Sequence, residues 1–445
     1  MDLIGLIPQF GNLAFTIAAF VVALSVIVAV HEYGHYIVGR WSGIQADVFS
    51  LGFGPVIWSG RDKRGTRWQV AALPFGGYVK FKGDADPAGV QSGSVMFKLS
   101  PEERRRTMHG APLWARAATV AAGPIFNFIL SIAILTGYFL SNGVTTDEAV
   151  VGQMKPMPFE GVSLLPGDRI TAVNGTETPT IERFIKVARA LPPLTKVTYQ
   201  VARGDTQVSL DGPYPFPPIA DSIMPGSPAR NAGIEPGDVV QAVDGKPVAS
   251  FEELRTFANA SQGKPMVLTL WRSGTSRDVT LATRLADQVL PDGGFEKRWQ
   301  IGMSGGLAFE PATRSPGVAE AVSLAGSRTW QITTTSLSAI WQMVQGRISP
   351  CNLQGPIGIA ETSGNAASEG FGTFLLFIAM LSTGVGLLNL FPIPVLDGGH
   401  LVFYAYEAVS GRPPADRALR VLMVIGLAVI LTLMVFALGN DLSCP

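Results

Sequence analysis

No lysine or arginine precedes Arg40. A secretory leader opens on positive charge and closes on a small-residue cleavage site, and residues 1–30 offer neither. The first apolar segment therefore reads as a membrane anchor. Charge is scarce along the whole chain: Asp, Glu, Lys and Arg make up 15% of it, and 34 basic residues balance 34 acidic ones. That balance leaves no basic footprint for a nucleic acid, so none is expected as a partner. Cysteine is nearly absent. Cys351 and Cys444 are the two present, without metal-ligand spacing between them, and a bond joining them stays open if both face an oxidising compartment.

Apolar residues are abundant instead, at 47% of the chain. Four runs, 13–38, 113–140, 371–391 and 421–438, each reach the roughly 20 helical residues that cross a hydrocarbon core. The expected fold class is a polytopic α-helical membrane protein with four transmembrane helices. Basic residues collect on the cytoplasmic side of short loops. Arg61, Lys63, Arg64, Arg67, Lys80, Lys82 and Arg104 to Arg106 follow the first run, and Arg412, Arg417 and Arg420 follow the third. Residues 40–112 are then cytoplasmic, while both termini and residues 141–370 lie outside.

The outer stretch repeats itself. "LLPGDRITAVNGTETPTIERFIKVARA" from Leu164 and "IEPGDVVQAVDGKPVASFEELRTFANA" from Ile234 share Pro-Gly-Asp, an alternating strand, an Asn-Gly or Asp-Gly turn, a short strand and an amphipathic helix. Each is followed by a strand pair, "KVTYQVARGDTQVSL" and "MVLTLWRSGTSRDVTL". One small α+β unit is used twice. Farther on, Trp330, Ile340, Trp341 and Val344 lie among polar positions in residues 318–348, the pattern of amphipathic helices at the outer surface.

Inside the first apolar run stands "HEYGH", residues 31–35. His31 and His35 are i and i+4 on one helix face, so both imidazoles can reach one Zn2+, and Glu32 between them can act as general base. Only four histidines occur in the chain, and an ionisable group within a span is a functional candidate by default. The bland alternative is that the three side chains pair with a neighbouring helix or snorkel to the interface. A third ligand is needed. "GLLNLFPIPVLDGGH", residues 386–400, offers two, Asp397 and His400, beside a helix break made by Pro392, Pro394, Gly398 and Gly399. Such breaks are tolerated in membranes where they are buried in protein or line a polar cavity.

The first cytoplasmic loop holds two strand-like stretches, "ADVFSLGFGPVIWSG" and "TRWQVAALPFGGYVKF", around a polar "RDKRG" turn. They read as a cytoplasmic or membrane-associated β-hairpin with an edge that an extended segment could join. Packing against the core alone is the competing reading.

In combination, HEYGH, "GPIFN" (123–127), the outer repeats and "NLFPIPVLDGG" (389–399) resemble the bacterial site-2 proteases of the RseP type. The resemblance extends to "FSLGFGP" (49–55), "LPFGGYVKF" (73–81) and "NLQGPIGIA" (352–360), nearly the whole chain. The second repeat, with "GSPARNAGIEPGDVVQAVDG" (226–245), is similar to bacterial periplasmic PDZ domains; the first has "MPFEGVS" in place of the Ser-Pro-Ala half.

The resemblance implies a zinc metalloendopeptidase that cuts transmembrane helices within the inner membrane. Zn2+ would be held by His31, His35 and Asp397, with Glu32 as base, Asn389 holding the substrate backbone and Asn127 lining the same site. Substrates would be single-pass membrane proteins, an anti-sigma factor and remnant signal peptides among them, in contact with the lipid bilayer. Both termini and the PDZ domains would be periplasmic, the PDZ pair serving either as a size filter or as a site for a periplasmic peptide.

The implied layout is 1–143, membrane core with the hairpin; 144–215 and 216–290, two inserted α+β PDZ domains; 291–370, a linker with amphipathic helices; and 371–445, the rest of the core. A non-enzymatic PDZ-containing membrane adaptor is the alternative. A closed structural zinc normally takes four protein ligands, and three are in view here.

Overall fold

A computed structural model describes residues 3–83, 100–159, 164–194, 196–224, 226–289 and 295–443. The chain opens with helix α1 (Leu3–Trp41), strands β1 (Ala46–Arg61) and β2 (Arg67–Phe81), helix α2 (Pro101–Arg105) and helix α3 (Leu113–Asn142). Strands β3 (Val144–Thr145), β4 (Val151–Met154), β5 (Arg169–Val173) and β6 (Thr176–Glu177) lead to helix α4 (Ile181–Ala190), β7 (Val197–Arg203) and β8 (Thr206–Gly212). The order then recurs with β9 (Ser222–Ile223), α5 (Pro228–Asn231), β10 (Val239–Val243), β11 (Lys246–Pro247), α6 (Phe251–Ser261), β12 (Pro265–Arg272) and β13 (Thr275–Ala282). Five more strands follow: β14 (Arg284–Val289), β15 (Phe295–Gln300), β16 (Met303–Ser304), β17 (Phe309–Pro311) and β18 (Thr313–Arg314). Helices α7 (Val318–Val344), α8 (Pro356–Glu369), α9 (Phe371–Asn389), α10 (Asp397–Ser410) and α11 (Asp416–Ser443) complete the described chain.

Two compact units result. Met1–Tyr138, Gly317–Gln345 and Pro350–Pro445 form a helical one; Phe139–Pro316 with Gly346–Ser349 forms a sheet-rich one. The stretch read as a linker, 291–370, is thus divided between them. Residues 295–316 fold with the strands, and 317–345 and 350–370 with the helices. A bond between Cys351 and Cys444 involves a position outside the described residues.

Among the described residues of the helical unit, four helices are long and apolar enough to cross a membrane: Leu13–Trp41, Leu113–Asn142, Phe371–Asn389 and Asp416–Ser443. The last begins and ends well beyond the apolar run 421–438, because Arg417, Arg420 and Asp441 interrupt hydropathy without breaking a helix. The third stops two residues short of the expected 391, at the bend that Pro392 imposes. In α11 only Gly426 and Ala437 are buried, while Val424 and Val435 are 67% and 66% exposed. A helix apolar on every side and largely uncovered suits hydrocarbon rather than water.

Small and hydroxyl-bearing side chains set the contacts inside the bundle. A Cβ on Gly34 would lie 2.6 Å from the Ala122 carbonyl, so α1 and α3 approach closely there. Helix α7 buries Ala321, Ala325, Thr329 and Thr333, one stripe at i, i+4 spacing, and exposes Trp330, Trp341 and Val344. Thr383 of α9 donates to Ser131 of α3 (2.8 Å), which lies 3.4 Å from Thr329, and Ser382 donates to the Asn127 carbonyl (2.9 Å). Arg116 at the start of α3 grips Glu407 of α10 in a bidentate pair, 3.0 and 2.6 Å. Asp441 near the end of α11 accepts the main-chain N–H groups of Gly355, Ile357 and Gly358, capping α8 from across the sequence.

The hairpin is more folded than its sequence suggests. Gly52, Gly54 and Gly76 take φ of +88°, +84° and +147°, and the strands double back at these points. Residues 46–51 consequently pair on one side with 67–70 and on the other with 77–81, while 56–61 pair with 67–71. The segments 56–61 and 77–81 are its edges. Asp62 fixes the turn by accepting the N–H groups of Arg64 (2.8 Å) and Thr66 (3.0 Å) together with the Tyr36 hydroxyl of α1 (2.9 Å).

In the sheet-rich unit the repeat holds down to single atoms. Both copies form four-stranded sheets in matching order, β6-β5-β7-β8 and β11-β10-β12-β13. Asn174-Gly175 and Asp244-Gly245 both take positive φ in the tight turn, and the side chains of Asn174 and Asp244 accept the N–H of Thr198 and of Val267. Each Pro-Gly-Asp aspartate, Asp168 or Asp238, holds a bidentate arginine, Arg203 or Arg272.

One short segment after the second copy then serves both. Strand β16 pairs with β9 and buries Met303 in the second core, whereas β17 pairs with β4 and buries Phe309 in the first.

Candidate metal centre

Helix α1 carries His31, Glu32 and His35; α3 crosses it; and Asp397 is the first residue of α10. The two histidine Nε2 atoms are 3.2 Å apart. Asp397 Oδ2 lies 3.2 Å from His31 Nε2, and Oδ1 lies 3.5 Å from His35 Nε2. All three side chains are mostly buried, at 11%, 12% and 17% exposed. Among the described residues, these three make the one group of His, Cys, Asp and Glu side chains that could hold a metal ion. His400, the rival in the sequence, is not in it and faces Phe403, ring centroids 6.0 Å apart.

Geometry fits a tetrahedral ion. Ligands at about 2.0–2.1 Å from zinc would stand roughly 3.3–3.4 Å from one another. The nearest separations lie close to that value, the two to Asp397 being made by different oxygens, and one ligand atom from each residue lies within 4.8 Å of the others. Asp397 Oδ2 is buried yet accepts no hydrogen bond among the described residues, although His31 Nε2 is near. Gly123 of α3 keeps the space clear: a Cβ there would come within 2.8 Å of His31 Nε2 and closer still to His35 Nε2.

The surrounding groups orient the rings. His35 Nδ1 faces the Thr119 carbonyl at 2.9 Å, an acceptor for an Nδ1–H that leaves the Nε2 lone pair free. Asn127, fully buried on α3, places Nδ2 3.2 Å from His31 Nδ1. Glu32 lies beside the hairpin, where a Cβ on Gly77 would stand 3.2 Å from Glu32 Cγ. The edge segment 77–81 thus starts next to Glu32. Asn389, half-buried, ends α9.

Asp397 is delivered by a strained bend. Between α9 and α10, Ile393 N–H bonds to Phe391 (2.7 Å) and Leu396 N–H to Ile393 (3.0 Å), so local turns satisfy the freed backbone. Val395 has φ of +94°, an outlier for a β-branched residue, two positions before Asp397. Gly398 and Gly399 lie against the main-chain carbonyls of Leu390 and Ile393, which no side chain would allow. Sequence reasoning did not single out Thr119, Gly77 or Val395. The signal for Gly123 was present, as a Gly-Pro pair inside an apolar span.

The sequence matches peptidase family M50 over residues 19–433. A protein of Rhizobium meliloti that bears the name "Putative zinc metalloprotease" is 36% identical over 433 residues, 97% of each chain. The regulator of sigma-E protease RseP of Salmonella typhimurium is 32% identical over 467 aligned positions, covering 97% of this chain and 99% of that one. Among solved structures, a PDZ domain from Listeria monocytogenes covers 20% of this chain and 84% of its own at 15% identity and a TM-score of 0.16, too low to assign a fold. With the family matched across most of its length, and with relatives alike from end to end, this chain belongs to peptidase family M50 and is a metalloprotease.

Proposed function

We propose that the chain is a zinc-dependent intramembrane endopeptidase of the inner membrane that cuts the membrane-spanning segments of single-pass proteins. The convergence of His31, His35 and Asp397 within a bundle of apolar helices carries this reading. Zn2+, held by these three residues, supplies Lewis-acid activation of water and of the scissile carbonyl when bound. Glu32 takes the proton of the attacking water and returns it to the leaving amine.

A helical substrate hides its carbonyls in its own hydrogen bonds, so it must be drawn out locally. The hairpin edge 77–81 offers main-chain partners for an extended segment beside Glu32. Asn389 holds the substrate backbone at the far end of the bend. The two repeats, centred on 144–215 and 216–290 and completed by 303–314, are PDZ domains outside the membrane, and they admit substrates whose outer part has been trimmed. An anti-sigma factor and remnant signal peptides are the substrate classes that the resemblance to RseP suggests.

The test is cleavage of a tagged, outwardly truncated single-pass protein in membranes holding wild type or Glu32→Gln at equal expression and zinc content. Cleavage by wild type alone supports the mechanism. Equal cleavage by both removes Glu32 as the base, and none by either across several helices overturns the reading that membrane-spanning segments are the substrate.

A further inference from the structure

His31 meets the prospective ion through Nε2, and what stands behind its other nitrogen decides whether Nε2 has a lone pair to offer. A neutral imidazole carries one proton, so a free Nε2 requires an Nδ1–H, and in a buried site that N–H needs an acceptor. For His35 the acceptor is the Thr119 carbonyl at 2.9 Å. For His31 the neighbour is the Asn127 amide, with Nδ2 at 3.2 Å and Oδ1 buried without a partner among the described residues.

With Nδ2 toward the ring, the amide donates to Nδ1 and the His31 proton sits on Nε2, where a metal cannot bind. A half-turn of the amide about χ2 exchanges its two ends and puts Oδ1 opposite Nδ1. No hydrogen bond of Oδ1 is lost in that turn. The backbone of Asn127 is held meanwhile, since its carbonyl accepts the Ser382 hydroxyl at 2.9 Å.

We propose that Asn127 is a positioning residue for the metal site: its amide oxygen accepts Nδ1–H of His31 in the loaded state and selects the tautomer that presents Nε2. The two amide orientations correspond to the two tautomers, and the oxygen-inward one is the orientation that leaves Nε2 free for a metal. The proposal rests on His31, His35 and Asp397 being the zinc site.

The experiment uses the full chain in detergent, loaded with zinc and challenged with a graded chelator, for wild type, Asn127→Leu, Asn127→Asp and His31→Ala, with thermal melting as a check of folding. Outer-shell partners of metal-bound histidines typically contribute about 10- to 100-fold in metal affinity. Asn127→Leu is expected to release zinc at least tenfold more readily, and Asn127→Asp, which keeps an acceptor oxygen, to stay within about threefold of wild type. Equal retention by Asn127→Leu and wild type overturns the proposal and leaves the zinc site standing, as does an Asp variant that loses zinc as readily as Leu. No zinc in wild type, or equal zinc in His31→Ala, overturns the site itself. In zinc-loaded wild type, 15N-histidine spectra are expected to show the Nδ1–H tautomer of His31, and the Nε2–H tautomer there overturns the proposal.

Discussion

Arg203 holds Asp168 with two parallel bonds of 2.7 Å, from Nε and from a terminal nitrogen, and the second repeat copies the pair in Arg272 and Asp238. Asp168 is 1% exposed and also accepts the N–H of Leu165. The Arg203 guanidinium holds its carboxyl below the usual carboxylate range. A carboxyl depressed in the folded state stabilises the fold above its unfolded value of about 3.9, and that contribution fades as pH falls through the folded value. Hydrogen exchange in the first repeat should therefore show Asp168→Asn less protected than wild type at pH 7, with the gap narrowing in acid. A gap that is constant down to pH 2 would mean that the pair contributes packing rather than charge.

Phe309 lies beyond the second repeat yet is fully buried in the first, its ring 5.7 Å from that of Phe184. Phe309→Ala removes a core ring at a cost of about 3–5 kcal/mol. Amides of β7 should lose protection while those of β12 keep theirs. Loss in both copies would mean that they unfold as one.

A methyl group at Gly123 would enter the space before His31 and His35 Nε2. Gly123→Ala is expected to abolish zinc retention by the purified chain. Gly137→Ala on the same helix, where a Cβ meets nothing, is the control and should leave zinc content unchanged. In a helix, Ala is ordinarily favoured over Gly by about 1 kcal/mol, so a loss at Gly123 alone points to the site rather than to helix stability.

Val395 stores backbone strain of about 1–3 kcal/mol at φ of +94°. Val395→Gly should preserve cleavage and raise the melting temperature, since glycine takes positive φ at little cost. Val395→Pro, fixed near −65°, should abolish cleavage and zinc retention together. An active proline variant would show that the bend is not needed to deliver Asp397.

Much of this was legible in the sequence because the signals are local. The four apolar runs mark the helices, Asn-Gly and Asp-Gly mark the repeat turns, and i, i+4 spacing brings His31 and His35 to one face. Asp397 was separable from His400 only through the resemblance, since both stand within one turn. The doubled hairpin was not legible, as its register depends on three glycines whose φ no pattern announces. Nor were Thr119 behind His35, or Asp441 on the first turn of α8, which are contacts between segments 84 and more than 80 residues apart.

Segment 303–311 reaches back past the second repeat to supply a strand and a ring to the first. The two copies are thus tied together through this one segment. A descendant that dropped the second copy together with its tail would leave the first with an open sheet edge and a hole where Phe309 sits, an invitation to aggregate. Truncations, domain transplants and circular permutations of this protease must move 144–314 as a single cassette, and evolutionary loss of one copy should be found only where a substitute strand has been grown.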